Sequence, residues 1–87
     1  MRKAYITVIE DSDGKAIDFT DTSVTYEIKL EEEIITSGNV DTGKNGEVLV
    51  VFDTYDIRQS GVYNIEITVK YSDGREEIYP NITEINL

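Results

Sequence analysis

Residues 61–75 contain the feature that most constrains this chain. Tyr63, Ile65, Ile67, Val69 and Tyr71 alternate with Asn64, Glu66, Thr68 and Lys70, a period of two that a half-buried β-strand satisfies and a helix does not. Ser72-Asp73-Gly74 then supplies turn residues that send the chain back on itself. Gly61 stands two residues before Tyr63, a spacing that fits a tyrosine corner. There the ring enters a sandwich core and the hydroxyl bonds nearby backbone.

The same alternation recurs. Val24, Tyr26, Ile28 and Leu30 interleave with Thr25, Glu27, Lys29 and Glu31 to give a second clear strand. Residues 3–10 form a first strand with apolar character on both faces, Ala4, Ile6 and Val8 on one and Tyr5, Thr7 and Ile9 on the other. Asp11-Ser12-Asp13-Gly14 is a turn in which Gly14 takes positive φ. Ile17 and Phe19 follow on a short extended piece. Glu31-Glu32-Glu33 marks a solvated hairpin end before Ile34–Ser37, and residues 41–46 form a turn before a buried strand over Glu47–Phe52. Asp53–Gly61 lacks any period of two. Its Tyr55 and Ile57 predict a packed connection, with one helical turn, crossing from one sheet to the other. Arg75–Tyr79 returns from the last turn, Pro80 ends or edges that strand, and Ile82–Leu87 adds a final one.

About seven short antiparallel strands, with turn signals every 8–12 residues or so and no amphipathic helix, predict an all-β immunoglobulin-like β-sandwich; a small β-barrel is the alternative. Residues 1–87 read as a single domain with no linker or internal repeat. A domain this small buries only about 60–65% of its unfolded surface, and without cysteine no disulfide reinforces it, so packing against copies of itself or a partner would add stability.

Composition narrows the chemistry. There is no Cys and no His, which removes thiol nucleophiles, zinc-thiolate sites and the commonest general base. Lys15, Lys29, Lys44 and Lys70 occupy polar positions where nothing lowers their pKa into a catalytic range, and Glu76 and Glu77 point to opposite faces of a strand. No catalytic or cofactor site is expected. Asp11, Asp13 and Gly14 resemble the start of an EF-hand loop, but the twelfth position is Thr22 rather than Glu, so an ordinary turn is expected; a looser calcium site would have to draw on Asp11, Asp13, Asp18 or Asp21. Asn81-Ile82-Thr83 fits the glycosylation pattern, which short chains match by chance. Eight basic against 18 acidic residues give a net charge of −10, which disfavours nucleic acid and anionic lipid as partners. The Met1-Arg2-Lys3 start leads to no long apolar run, so neither a signal peptide nor a membrane span is expected. Among six tyrosines, Tyr26, Tyr63 and Tyr71 read as core or its rim. Tyr5 and Tyr79 lie opposite the inward faces or near strand ends and are the candidates for partner contact.

The order Ile6-Thr7-Val8, Asp13-Gly14-Lys15-Ala16-Ile17-Asp18-Phe19, Val24-Thr25-Tyr26-Glu27-Ile28, Gly46-Glu47-Val48, Gly61-Val62-Tyr63, Tyr71-Ser72-Asp73-Gly74-Arg75 and Tyr79-Pro80 resembles the N-terminal domain of phage baseplate upper proteins and related Ig-like domains of phage tail proteins. The resemblance implies a non-enzymatic virion structural module that packs against itself, as a homo-oligomer, or against other virion proteins, located in the virion and, before assembly, in the host cytoplasm. The short chain, ending just after its last strand, fits a stand-alone tail, neck or capsid-decorating protein rather than a full baseplate subunit. Two rival readings are an acidic phage-encoded inhibitor whose carboxylates mimic DNA and block a host enzyme, and a bacterial surface adhesion module.

Overall fold

The computed structural model describes all of residues 1–87. Eight strands follow one another: β1 (Arg2–Val8), β2 (Thr22–Leu30), β3 (Glu33–Asn39), β4 (Asp41–Thr42), β5 (Glu47–Asp53), β6 (Gly61–Tyr71), β7 (Glu76–Tyr79) and β8 (Ile82–Ile85). They form two separate antiparallel sheets, β1-β5-β4 and β3-β2-β6-β7, with β8 also pairing β6. The protein is therefore an all-β sandwich rather than a closed barrel.

The alternating residues do what their pattern requires. Val24, Tyr26 and Ile28 of β2, Val48, Val50 and Phe52 of β5, and Tyr63, Ile65, Ile67 and Val69 of β6 all turn inward, and with Ile9, Ile57 and Ile85 they make one contiguous core. Tyr63 donates its hydroxyl to the Gln59 carbonyl at 2.6 Å, the bond expected of a tyrosine corner. Glu31 and Glu32 form the exposed β2–β3 turn, both at positive φ.

Several local expectations change. The 41–46 segment is not all turn, because Asp41 and Thr42 pair with Leu49 and Val48 and add a short edge strand. Residues 54–56 turn without forming a helix, and Tyr55, expected to pack, is 83% exposed while Ile57 alone fills the core. Pro80 does end its strand, as expected, and a last strand follows it. β7 pairs the second half of β6, β8 pairs the first half, and the Ile65 N–H donates to the Asn81 carbonyl between them at 2.8 Å.

The most consequential correction concerns β1. Lys3, Tyr5, Thr7 and Ile9 face inward, and Ala4, Ile6 and Val8 face solvent, with Ile6 71% and Val8 50% exposed. Tyr5, placed outward on sequence grounds, is half-buried and packs on the core. Both faces of this strand carry apolar residues, so alternation alone cannot choose between them. The closures at its two ends fix the choice: the Met1 carbonyl accepts from Thr54 N–H, and Ile9 N–H donates to the Gly46 carbonyl.

Candidate interaction surface

The chemistry-bearing side chains form no reactive constellation. Every buried side-chain nitrogen and oxygen has a hydrogen-bond partner. Lys29 lies 3.2 Å from Glu66 and 3.9 Å from Glu27 on the outer face of the large sheet, so its ammonium is engaged in ion pairs with two carboxylates. Asp11 accepts the N–H groups of Asp13 and Lys15, and Asp18 accepts both the hydroxyl and the N–H of Thr20. These bonds, the Thr20 hydroxyl foremost, hold the Asp18 carboxyl below its ordinary range. Each of these aspartates closes its own loop, and no three acidic side chains converge to hold a metal ion. Asp73 does the same for the β6–β7 turn: it accepts the Arg75 N–H and guanidinium, which lower its pKa, and Arg75 lies 4.4 Å from the centre of the Tyr71 ring.

Both tyrosines singled out as partner contacts prove to be structurally engaged. Tyr79 is half-buried against the core and donates its hydroxyl to Glu77; burial first, then that carboxylate, push its pKa up. Tyr5 directs its hydroxyl toward Asn81 Oδ1, 3.5 Å away. The Asn81 amide nitrogen donates to the carbonyls of Ile65 and Tyr79, both at 3.1 Å, while Thr7 approaches the same Oδ1 at 3.5 Å. Asn81 thus bridges β1 in one sheet to β6 and β7 in the other. The sequence showed it only as part of a glycosylation triplet, and its clamp depends on the irregularity after Pro80.

The surface left free lies elsewhere. On the outer face of the small sheet, Ala4 stands opposite Val51 and Ile6 opposite Leu49, with Arg2 opposite Asp53 at one end and Val8 opposite Glu47 at the other. Ile6, Val8 and Val51 are all more than a third exposed. The outer face of the large sheet is polar across its centre, carrying Thr25, Glu27, Lys29, Ser37, Glu66 and Lys70, with exposed Val62, Ile78 and Ile82 toward its β7–β8 side. A second exposed group, Ile34 and Tyr55 with Arg58, lines a shallow groove at the end of the sandwich near Leu30. No helix of the chain is long and apolar enough to cross a membrane.

An apolar strip on a sheet face is a means of binding another surface, since isolated exposed side chains are ordinary but a contiguous row is not. Its amphipathic signal in the sequence was the doubly apolar pattern of residues 3–10, whose meaning depended on the unknown register. Comparison with protein-family models, with curated proteins and with solved structures gave no match.

Proposed function

We propose that this chain is a non-enzymatic assembly module that binds other protein subunits through its small sheet. The observation that carries the reading is the outward row of exposed Ala4, Ile6, Val8 and Val51 with half-buried Leu49, beside the unpaired edge of β1. Such a face suits a fixed protein neighbour, whereas it gives nothing to a small polar substrate. The setting implied by the sequence resemblance is a phage virion, where the domain would serve as a tail, neck, baseplate or capsid-decorating part. The finer Ig-like assignment draws its support from the Tyr63–Gln59 bond.

The rival reading, an acidic mimic of DNA, calls for one concentrated negative face. Here Asp11, Asp13, Asp18 and Asp73 lie toward one end of the sandwich and Glu31, Glu32, Glu33 and Asp56 toward the other, which does not favour it. The test is mass photometry of the purified protein mixed with virions or tail assemblies that lack it. Saturable decoration, lost when Val51 and Leu49 are changed to Ser, is the expected result. Particles that remain bare, together with capture of a host nucleic-acid enzyme through the carboxylates, would replace the assembly reading with the inhibitor.

A further inference from the structure

We propose that the β1 edge binds a second copy of itself, antiparallel about a two-fold axis through Ile6, joining two small sheets into one continuous sheet. This deepens the assembly reading, on which it rests, by naming the first partner as this chain.

The argument begins with the backbone. In an antiparallel ladder, residues alternate between those that exchange hydrogen bonds with the neighbour and those that point away. Met1 and Ile9 bond toward β5, so the odd-numbered residues between them do the same. Arg2, Ala4, Ile6, Val8 and Glu10 therefore direct their N–H and C=O groups to the open side. The run extends to Glu10 because the 11–15 turn folds back beside β5: Ile17 N–H donates to the Ile9 carbonyl and Asp11 N–H to the Lys15 carbonyl. No hydrogen bond of the remaining backbone or of any side chain engages these outward groups.

The other edges are poorer templates. β4 has two residues, the β7–β8 edge is broken at Pro80, and β3 opens on Glu33, carries Gly38 and pairs with β2 through a register shift. Only β1 offers a long edge free of Pro and Gly.

Register then selects the partner. Pairing about Ile6 sets Ile6 against its own copy, Ala4 against Val8 of the second copy, and Arg2 against Glu10 of the second copy. All of these are outward residues on one face, so like meets like and the terminal charges are opposite. Arg2 and Glu10 are exposed, and neither has an ion-pair partner in its own chain. Sliding the axis by one residue either way keeps the hydrogen-bonding parity but shortens the ladder and leaves Arg2 facing Val8 or unmatched. Lys3, the one charge turned inward along this edge, is already bound to the Asn86 carbonyl. The net charge of −10 on each copy opposes association over long range, so pairing strengthens with moderate salt, which screens that repulsion.

The experiment is sedimentation equilibrium of the full chain and a set of variants, with circular dichroism to establish folding. The protein is expected to dimerise. Arg2→Glu and Glu10→Arg should each weaken the dimer about tenfold, since two symmetric pairs turn repulsive, and the double variant should recover it. Ala4→Pro removes an N–H that points away from β5, so it should fold normally and abolish pairing. A monomer at all concentrations up to about 100 μM would overturn the proposal, while particle decoration independently decides the assembly reading. A dimer indifferent to Ala4→Pro and to the charge reversals, but lost with Leu49→Ser and Val51→Ser, would also overturn it and assign face-to-face packing instead. A charge-rescued dimer that decorates no particle would uphold self-pairing and remove the wider assembly reading.

Discussion

Two glycines offer a controlled test of how this fold is fixed. Gly46 and Gly74 both adopt positive φ, at 76° and 94°, where an added Cβ brings a backbone cost of about 1–2 kcal/mol. They differ in the space around them. A Cβ at Gly74 would meet nothing within 4 Å, whereas one at Gly46 would sit 2.4 Å from the Ile9 carbonyl oxygen and 3.3 Å from the Ile17 nitrogen. To relieve that overlap the backbone must shift where Ile9 N–H meets the Gly46 carbonyl at 2.9 Å and Ile17 N–H meets the Ile9 carbonyl at 3.0 Å. Weakening those two bonds adds about 1 kcal/mol each, and Ile9, only 4% exposed, loses packing as well. Gly74→Ala should therefore cost about 1–2 kcal/mol and Gly46→Ala about 3–5 kcal/mol. In thermal melts followed by circular dichroism, with a domain of this length losing about 4–8 °C per kcal/mol, the two variants separate clearly. Asn substitutions, which tolerate this backbone region better, should shrink the loss at Gly74 and leave most of it at Gly46. Equal losses at the two sites would refute the claim that the Gly46–Ile9 closure fixes the end of β1.

Two further outcomes follow from the same geometry. Asn81→Ala should lower stability by about 1–3 kcal/mol in urea titrations, because the Ile65 and Tyr79 carbonyls each lose a donor; Asn81→Ser, which keeps a single donor, should lose less. Tyr79, with its folded pKa raised above the ordinary value near 10, stabilises the fold only while protonated. Unfolding releases that proton more readily, so stability should fall as pH rises above about 10, and Tyr79→Phe should make the decline shallower in alkaline melts. An unchanged slope would count against the burial and Glu77 contact assigned to this hydroxyl.

The strands easiest to read in the sequence were those with one apolar and one polar face. In β2 and β6 the choice of inward residues was already settled by Glu27, Lys29, Asn64 and Lys70, and the structure places Tyr26, Ile28, Ile65 and Ile67 accordingly. Turns were legible where a glycine at positive φ or an aspartate accepting local N–H groups made the bend, as at Asp11–Lys15 and Asp73–Arg75. Tyr55 was harder, because an aromatic residue in an aperiodic loop carries no facing information, and here Ile57 took the core position. Asn81 was hidden for a different reason. Its role arises from a break in pairing shared by three strands distant in sequence, and no local pattern encodes that meeting.

β1 shows why the site itself was the least legible part. A strand slides by one residue only by exchanging its faces, and such a slip would bury Ala4, Ile6 and Val8 in place of Lys3, Tyr5 and Thr7. Hydrophobicity alone does not choose between the registers, since the slip would bury Ile6 and Val8 but release Ile9 and Tyr5 from the core and turn Arg2 or Glu10 inward. The observed register is held instead by polar and steric devices: Met1 to Thr54, Ile9 to Gly46, and the approach of Tyr5 and Thr7 to Asn81. The fold thus uses specific bonds to choose between two faces of comparable apolar content, a preference that leaves Ile6 and Val8 outward and open to burial against another protein surface. Moving that preference is a direct check. Ile6→Thr and Val8→Thr together should leave the melting temperature of the isolated chain nearly unchanged, because both side chains are mostly solvated, while removing binding to partner or copy. A large loss of monomer stability would mean that these residues already serve the fold, and the outward strip would lose its claim as an interface.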